Sequence, residues 1–442
     1  MGRRTMFREI SRKLTQWKLG QKRKPLILKG ARQVGKTWAL TSFGNSFMDG
    51  FAYFNFEKQP ELNQLFETTK DVNRILSNLS LASGKTITTN TLIILDEIQC
   101  CGAALNSLKY FCENAPQYPI ASAGSLLGIT LAQGFPVGKV DFLELGPMTF
   151  FEFLLANGDR NLLDYLDSID TIEQIPNMFF NPLVEKLYMY LTIGGMPEVV
   201  STWTEFGDIE LADKTLSNIL MSYENDFGKH ADKTDVPKIR YIWNSLPSQL
   251  ARANKKFLYS AAKEGARARE YENALNWICD ADIAKKVYRI SKPGLPLSAY
   301  EDLSAFKIYM NDVGLLRKHA RLSTNTFFEQ NDAFVEFKGA LAENFILQTL
   351  ERKFETFPRY WANTTNEVDF IIQYENTIIP VEVKSSANIK STSLKNYIKL
   401  YGEQTPLAVR FSLKNLSLDG NILNIPLFMA DYADKLMQIA LG

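Results

Sequence analysis

Apolar and polar positions change rhythm several times along the chain. Over residues 7–19, Phe7, Ile10, Leu14 and Trp17 recur near one stripe and predict a helix with basic flanks. The apolar run Leu26-Ile27-Leu28 then predicts a short strand leading to Gly30. Residues 51–56 alternate as Phe-Ala-Tyr-Phe-Asn-Phe before Glu57 and predict a second strand, and Leu62, Leu65, Phe66, Ile75, Leu76 and Leu79 place a helix over 62–82. Leu92-Ile93-Ile94-Leu95 reads as a central strand that delivers Asp96 and Glu97 at its carboxyl end. Residues 120–127 predict another strand, ending in Gly124-Ser125. Residues 140–153 predict a strand, a stop at Gly146-Pro147 and a helix from near Thr149. Strands alternating with helices in this order predict an α/β fold with a parallel sheet.

Beyond residue 176 the pattern is mostly helical. Leu183, Leu187, Tyr190 and Leu191 precede a stop at Gly194-Gly195-Met196-Pro197, and residues 205–228 read as a further helix. Residues 234–290 alternate short helices with loops and end in a strand over 286–290, an order that fits a winged-helix module. Residues 306–316 read as a short strand or turn, and 317–336 as an irregular connection. Residues 337–350 should be helical, with Ala340, Glu343, Ile346 or Leu347, and Leu350 on one stripe. A strand over 367–372, a turn at Tyr374-Glu375-Asn376 and a partner strand over 377–384 follow, with Pro380 placing the start of the partner strand at an edge. A helix near 395–401, strands near 407–411 and 422–428, and a closing helix over 430–441 complete the chain.

Candidate chemistry begins at the first strand. Gly30 and Gly35-Lys36-Thr37 stand at the spacing G-x-x-x-x-G-K-T, the form of a phosphate-binding loop between a strand and a helix. The loop Gly30, Ala31, Arg32, Gln33, Val34, Gly35, Lys36, Thr37 and Trp38 would turn its amides toward the phosphates of ATP or ADP. Lys36 would reach the β and γ phosphates, and Thr37 would bind the accompanying Mg²⁺. Asp96 can hold that Mg²⁺ through its water shell, Glu97 can polarise the attacking water, and Ser125 can sense the γ phosphate or cap a helix. Gln99 is a weaker sensor. Glu57 either orients a water or neighbouring arginine or is a surface carboxylate.

A second constellation lies near the other end, where Asp369, Glu382 and Lys384 form D-x12-E-x-K on two successive strands. Glu382 and Lys384 are two apart and face one side. The two acids, with Glu343 from the preceding helix, would be hard oxygen ligands for Mg²⁺ or Mn²⁺, and Lys384 would stabilise developing charge.

Charge and composition narrow the classes. With 442 residues, 45% of them hydrophobic, the chain is long enough for two to four domains. The net charge of +1 hides basic tracts: residues 1–40 hold twelve Lys or Arg against Glu9 alone, and 229–269 hold ten against three acids. These suit DNA or another anionic surface, or a solvated face. Cys100, Cys101, Cys112 and Cys279, with His230 and His319, make no metal-ligand ladder, so structural zinc is not expected and a reducing cytoplasm is. No secretory signal or membrane-length apolar run is visible.

The phosphate loop, Leu95-Asp96-Glu97-Ile98-Gln99, Gly124-Ser125-Leu126-Leu127-Gly128 and Leu145-Gly146-Pro147-Met148-Thr149-Phe150 resemble a family of prokaryotic AAA-type ATPases that carry a second region described as a domain of unknown function. The resemblance runs from about residue 24 to 386 and includes Gly194-Gly195-Met196-Pro197-Glu198 and residues 306–316. It implies an ATPase core over 1–175 and a helical lid over 176–232; the element order leaves a winged-helix connecting region over 233–305, and the second constellation, with its order helix, strand, turn, strand, resembles over 306–442 a PD-(D/E)xK domain of restriction-endonuclease-like α/β fold. It also implies an arginine from a neighbouring subunit of a homo-oligomer, with Arg240 and Arg252 as candidates. At the first acid Val368-Asp369 replaces the usual Pro-Asp, while the carboxylate is kept. Two readings stay open at this level. One is a DNA-associated ATPase controlling a Mg²⁺-dependent nuclease; the other is an ATP-driven switch for a protein partner, with a non-cleaving scaffold.

Overall fold

The computed structural model describes residues 6–125, 138–252, 255–327, 335–386 and 392–442. Its contacts divide the chain into two units: one of Phe7–Gly146 with Asp280–Ile283, the other built chiefly from Pro147–Cys279 and Ala284–Gly442.

The first unit holds five parallel strands, β1 (Leu26–Lys29), β2 (Phe51–Asn55), β3 (Leu92–Asp96), β4 (Ile120–Ala123) and β5 (Asp141–Glu144), in the order β2-β3-β4-β1-β5. Every pairing is parallel, so the carboxyl ends share one edge, and the residues after β1, β3 and β4 meet there. The middle strands β3, β4 and β1 are buried almost throughout, which is why β1 and β3 read as apolar runs and β4 carries only the small buried Ser122 as a polar side chain. β5 alternates half-buried and exposed positions, as an edge strand does. Ile27, Phe54, Ile75, Leu79, Leu95, Leu108 and Phe111 belong to the core of this unit.

One sequence expectation changes here. The helix expected over 62–82 is divided into a turn at Pro60–Leu62 and helices Asn63–Glu67 and Val72–Ser83. Asp71 restarts the second helix by accepting a hydrogen bond from the Asn73 amide, a side-chain bond that competes with helix continuation. β4 stops at Ala123, just before the Gly124-Ser125 end expected of this strand; Leu126, Leu127 and Gly128 lie outside the described residues.

The second unit combines helices, among them Asn177–Ile193, Ile209–His230, Val236–Leu250 and Val335–Lys353, with an eight-stranded mixed sheet. Its strands are β6 (Ala284–Ile290), β7 (Glu301–Met310), β8 (Arg359–Ala362), β9 (Glu367–Tyr374), β10 (Thr377–Val383), β11 (Ala408–Ser412), β12 (Ser417–Asp419) and β13 (Ile422–Pro426), in the order β12-β13-β11-β10-β9-β8-β6-β7. β6, expected as part of a connecting module, pairs with β7 and β8 in this sheet, and the boundary expected at 305/306 falls inside β7. β7 opens on polar Glu301 and Asp302, which hid its length in the sequence. Within β10, β11 pairs only from Val381 onward, so Pro380, which lacks an N–H, sits before that ladder at a local edge. Residues 306–316 finish β7 and enter a helix, Val313–His319, capped by Asp312. Of the irregular connection expected at 317–336, residues 328–334 lie outside the described residues.

Three of the motifs that carried no chemistry meet in this unit as a packing knot. The Met148 amide donates to the Gly195 carbonyl at 2.6 Å, the Tyr190 hydroxyl to the Met148 carbonyl at 2.6 Å, and the Gly195 amide to Asp312 Oδ2 at 2.7 Å. Gly194, at φ 76°, faces Asp312 so closely that a Cβ there would lie 2.1 Å from Oδ1. Gly-Gly-Met-Pro therefore lets two chain segments touch at backbone distance.

Candidate functional site

The loop after β1 curls through three left-handed or glycine-only conformations, with φ 145° at Gly30, 67° at Gln33 and 92° at Gly35. A Cβ on Gly30 would lie 2.0 Å from the Leu145 carbonyl oxygen, so only glycine fits against the end of β5. The helix Lys36–Gly44 starts directly from Gly35 and presents its positive end there. Lys36 is buried and folds back, donating to the Gly30 carbonyl at 2.8 Å and the Ala31 carbonyl at 2.7 Å. Burial pushes its ammonium down to about 8, against the pull of Glu97, Asp282 and Asp96.

Thr37 Oγ1 donates to Asp96 Oδ2 at 2.8 Å, bringing together the hydroxyl and carboxylate expected to share one cation. Asp96 is further held by the Tyr53 hydroxyl at 2.6 Å and the Asn55 amide at 3.4 Å, and its Oδ1 accepts from the Glu97 amide at 3.1 Å. The Tyr53 proton is correspondingly hard to remove: burial and the bond to Asp96 push it up to about 12. Glu97 itself is left-handed, φ 50°, and its Oε2 accepts from Gln99 at 2.6 Å and Ser125 at 3.2 Å. The segments after β3 and after β4 thus gather both expected sensors, Gln99 and Ser125, on one carboxylate.

Ala31 and Val34 are buried, Arg32 and Gln33 are half-buried, and Trp38 is exposed on the first turn of the helix. Glu57 stands exposed on the turn after β2, while Arg240 and Arg252 are exposed in the second unit. Sequence reading missed Tyr53, Asn55, Arg8 and Asp282. The pairing of Asn55 with Asp96 across β2 and β3 is what brings the first two in, and alternation along β2 is their only sequence signal.

The second constellation is a buried charged centre. Glu343, on the helix Val335–Lys353, is ion-paired through Oε1 with Lys255 and accepts from the Tyr309 hydroxyl at 3.1 Å through Oε2. Lys307, fully buried on β7, pairs with Glu367 at 2.5 Å. Asp369 Oδ2 accepts from the Val383 amide at 2.8 Å, and Lys384 pairs with Glu382 at 3.0 Å, with Arg410 4.0 Å from its other oxygen. Burial and then the charge of Glu343 raise Asp369 to about 7. Burial also pushes Glu343 upward, but Lys255 and Lys307 outweigh it and hold the carboxyl low. Glu343, Asp369 and Glu382, the expected metal set, lie within this one charged centre. Among the described residues no group of three or more His, Cys, Asp or Glu side chains is arranged to hold a metal ion. Lysines from outside the motif, Lys255 and Lys307, supply the positive charge instead.

Residues 22–154 match a family described as an AAA domain. Residues 184–326 match a domain of unknown function, DUF8612, and residues 338–428 match another, DUF4143. Among solved structures the chain is similar to the Walker-type ATPase of Pyrococcus abyssi, at 14% identity over 72% of this chain and 96% of that one, with a TM-score of 0.44. It is also similar to the ORC1 protein of Aeropyrum pernix in complex with DNA, at 14% identity over 72% and 94%, TM-score 0.25. A third is the RuvB Holliday junction branch migration motor of Thermotoga maritima, at 15% identity over 72% and 96%, TM-score 0.27. No match was found among curated proteins. The family match, the parallel sheet and the loop after β1 make the first unit an AAA-type, P-loop ATP-binding domain. Among the described residues, no helix is long and apolar enough to cross a membrane.

Proposed function

We propose that the chain binds and hydrolyses ATP at the loop after β1 and uses nucleotide state to switch its second unit. The observation that carries this is the 2.8 Å contact of Thr37 Oγ1 with Asp96 Oδ2 at the foot of a glycine-curled loop bearing a buried lysine. Thr37 and Asp96 form a hard oxygen donor pair that fits Mg²⁺, and the loop's glycine conformations fit a phosphate cradle. Mg²⁺, when bound, would neutralise phosphate charge and orient the leaving group. The amides from Gly30 to Trp38 would hold the phosphates, and Lys36 would exchange its two carbonyl bonds for phosphate oxygens. Glu97, restrained by Gln99 and Ser125, is the group to hold and polarise the attacking water. Calorimetry on the full chain is expected to give ATP and ADP binding that requires Mg²⁺ and is weakened in Thr37→Ala. Well-folded protein that takes up neither nucleotide would end this reading.

For the second unit the geometry supports a binding module that does not cut DNA. Each carboxylate of the centre is engaged by an internal lysine, tyrosine, arginine or amide. A cleaving reading keeps one observation in its favour: Asp369 and Glu382 stand on neighbouring strands β9 and β10, with Lys384 directly after β10. Incubation with plasmid, linear and single-stranded DNA in Mg²⁺ or Mn²⁺ is expected to give no cleavage. Cleavage that disappears in both Asp369→Ala and Lys384→Ala would restore the nuclease reading. DNA binding, measured across a salt series, separates a nucleic-acid module from a protein-binding one, because phosphate contacts weaken steeply with added salt.

A further inference from the structure

Two stretches where the chain leaves the first unit are bonded to its nucleotide loop. Residues 280–283 belong to this unit, while Cys279 before them and Ala284 after them do not. Asp282 Oδ2 accepts a hydrogen bond from the Ala31 amide at 3.1 Å, at the start of the loop. Its backbone is left-handed, φ 59°, a conformation that aspartate tolerates better than most residues. Its charge also acts on Lys36, together with Glu97 and Asp96. The second stretch ends at Gly146, where the unit stops before Pro147. Buried Arg8 bridges it to the loop, donating through Nη1 to the Val34 carbonyl at 2.9 Å and through Nη2 to the Gly146 carbonyl at 2.7 Å.

These contacts have an electrical consequence. A phosphate chain and the Asp282 carboxylate are both drawn to the loop's amides and to Lys36, and as like charges they repel one another. We propose that Asp282 is a charge-sensing positioning residue of the nucleotide site: phosphate charge on the loop opposes its hold on Ala31, so nucleotide binding loosens residues 280–284. The proposal rests on the loop binding ATP. Because coupling between two sites is reciprocal, the carboxylate that nucleotide loosens must also weaken nucleotide binding while it is in place. Residue 282 joins the helix Ala268–Asp280 to β6 by only a few residues, so its release is felt at the start of the strand that anchors β7 and β8.

The test uses the full chain, with ATP·Mg²⁺ as the probe. Asp282→Asn keeps an acceptor oxygen and a residue suited to left-handed backbone, and removes only the charge. Its ATP affinity is expected to rise about fivefold or more. In the unaltered chain, ATP should speed hydrogen exchange of the amides over 280–286; in Asp282→Asn that nucleotide effect should shrink. A merely structural aspartate predicts the opposite, weaker ATP binding on substitution. If Lys36→Ala loses ATP binding but Asp282→Asn binds no better than the unaltered chain, the loop assignment stands and the sensing role is overturned. Exchange over 280–286 that ATP leaves unchanged or slows overturns it without any variant. If Lys36→Ala binds ATP as well as the unaltered chain, the site assignment itself fails, and the sensing role with it.

Discussion

Lys36→Ala is expected to lower ATP turnover by about 10²–10³-fold and to weaken nucleotide binding with it, because a charge aimed at transferring phosphates acts in both ground and transition states. The side chain already sits in the loop, buried, bonded to two carbonyls of the same turn. Those bonds are ones a phosphate oxygen can replace without moving the backbone. Glu97→Gln makes the informative partner variant. It keeps the size of the side chain and an oxygen able to accept from Gln99 and Ser125, but it loses the basic carboxylate. Turnover should fall by about 10²–10⁴-fold while ATP affinity stays near that of the unaltered chain. Release of labelled phosphate, measured beside equilibrium binding, separates the two. Equal turnover in Lys36→Ala and the unaltered chain would remove the site from the loop altogether.

Some of this arrangement was legible in the sequence because the physics is local. β1 and β3 are buried almost throughout, so their apolar runs were readable, and glycine and acid follow directly at the ends where ligands gather. The remainder depends on pairing across the fold. Nothing in Phe51-Ala-Tyr-Phe-Asn says that β2 lies beside β3, yet that register puts Tyr53 and Asn55 on Asp96. Asp282 is 251 residues from Ala31, and no spacing rule spans that distance. Lys307 lies in a strand that alternation alone would turn to solvent, and its burial becomes visible only beside Glu367 of β9. The motif Asp369, Glu382 and Lys384 was readable as residue types; the lysines that neutralise its surroundings were not, since they come from segments with other apparent roles.

Those lysines set the second large effect. Lys307→Met is expected to destabilise the second unit by about 3–5 kcal/mol, the range for removing one partner of a buried ion pair. The ammonium is fully buried; Glu367 at 2.5 Å, Glu343 and Asp369 hold its proton, raising it well above the usual lysine range despite burial. Methionine keeps most of the volume, so the loss is electrostatic rather than a cavity. Its pH dependence follows from the same charges. Lys307 lowers the carboxyls of Asp369 and Glu343, so without it both titrate at higher pH in the folded state than they do now. Asp369, already raised above its unfolded value, then binds still more protons folded than unfolded, so stability falls more steeply as pH rises. The penalty of Lys307→Met should therefore be smaller near pH 5, where Asp369 is already protonated, and larger near pH 8, above its present value of about 7. Urea denaturation followed by tryptophan fluorescence, to which the buried Trp243, Trp277 and Trp361 of this unit contribute, reads the difference. Adding Glu367→Gln to Lys307→Met should recover part of the loss by removing the carboxylate left unpaired. A penalty independent of pH, with no recovery in the double variant, would mean that Lys307 acts through packing and that the centre is not held together by its charges.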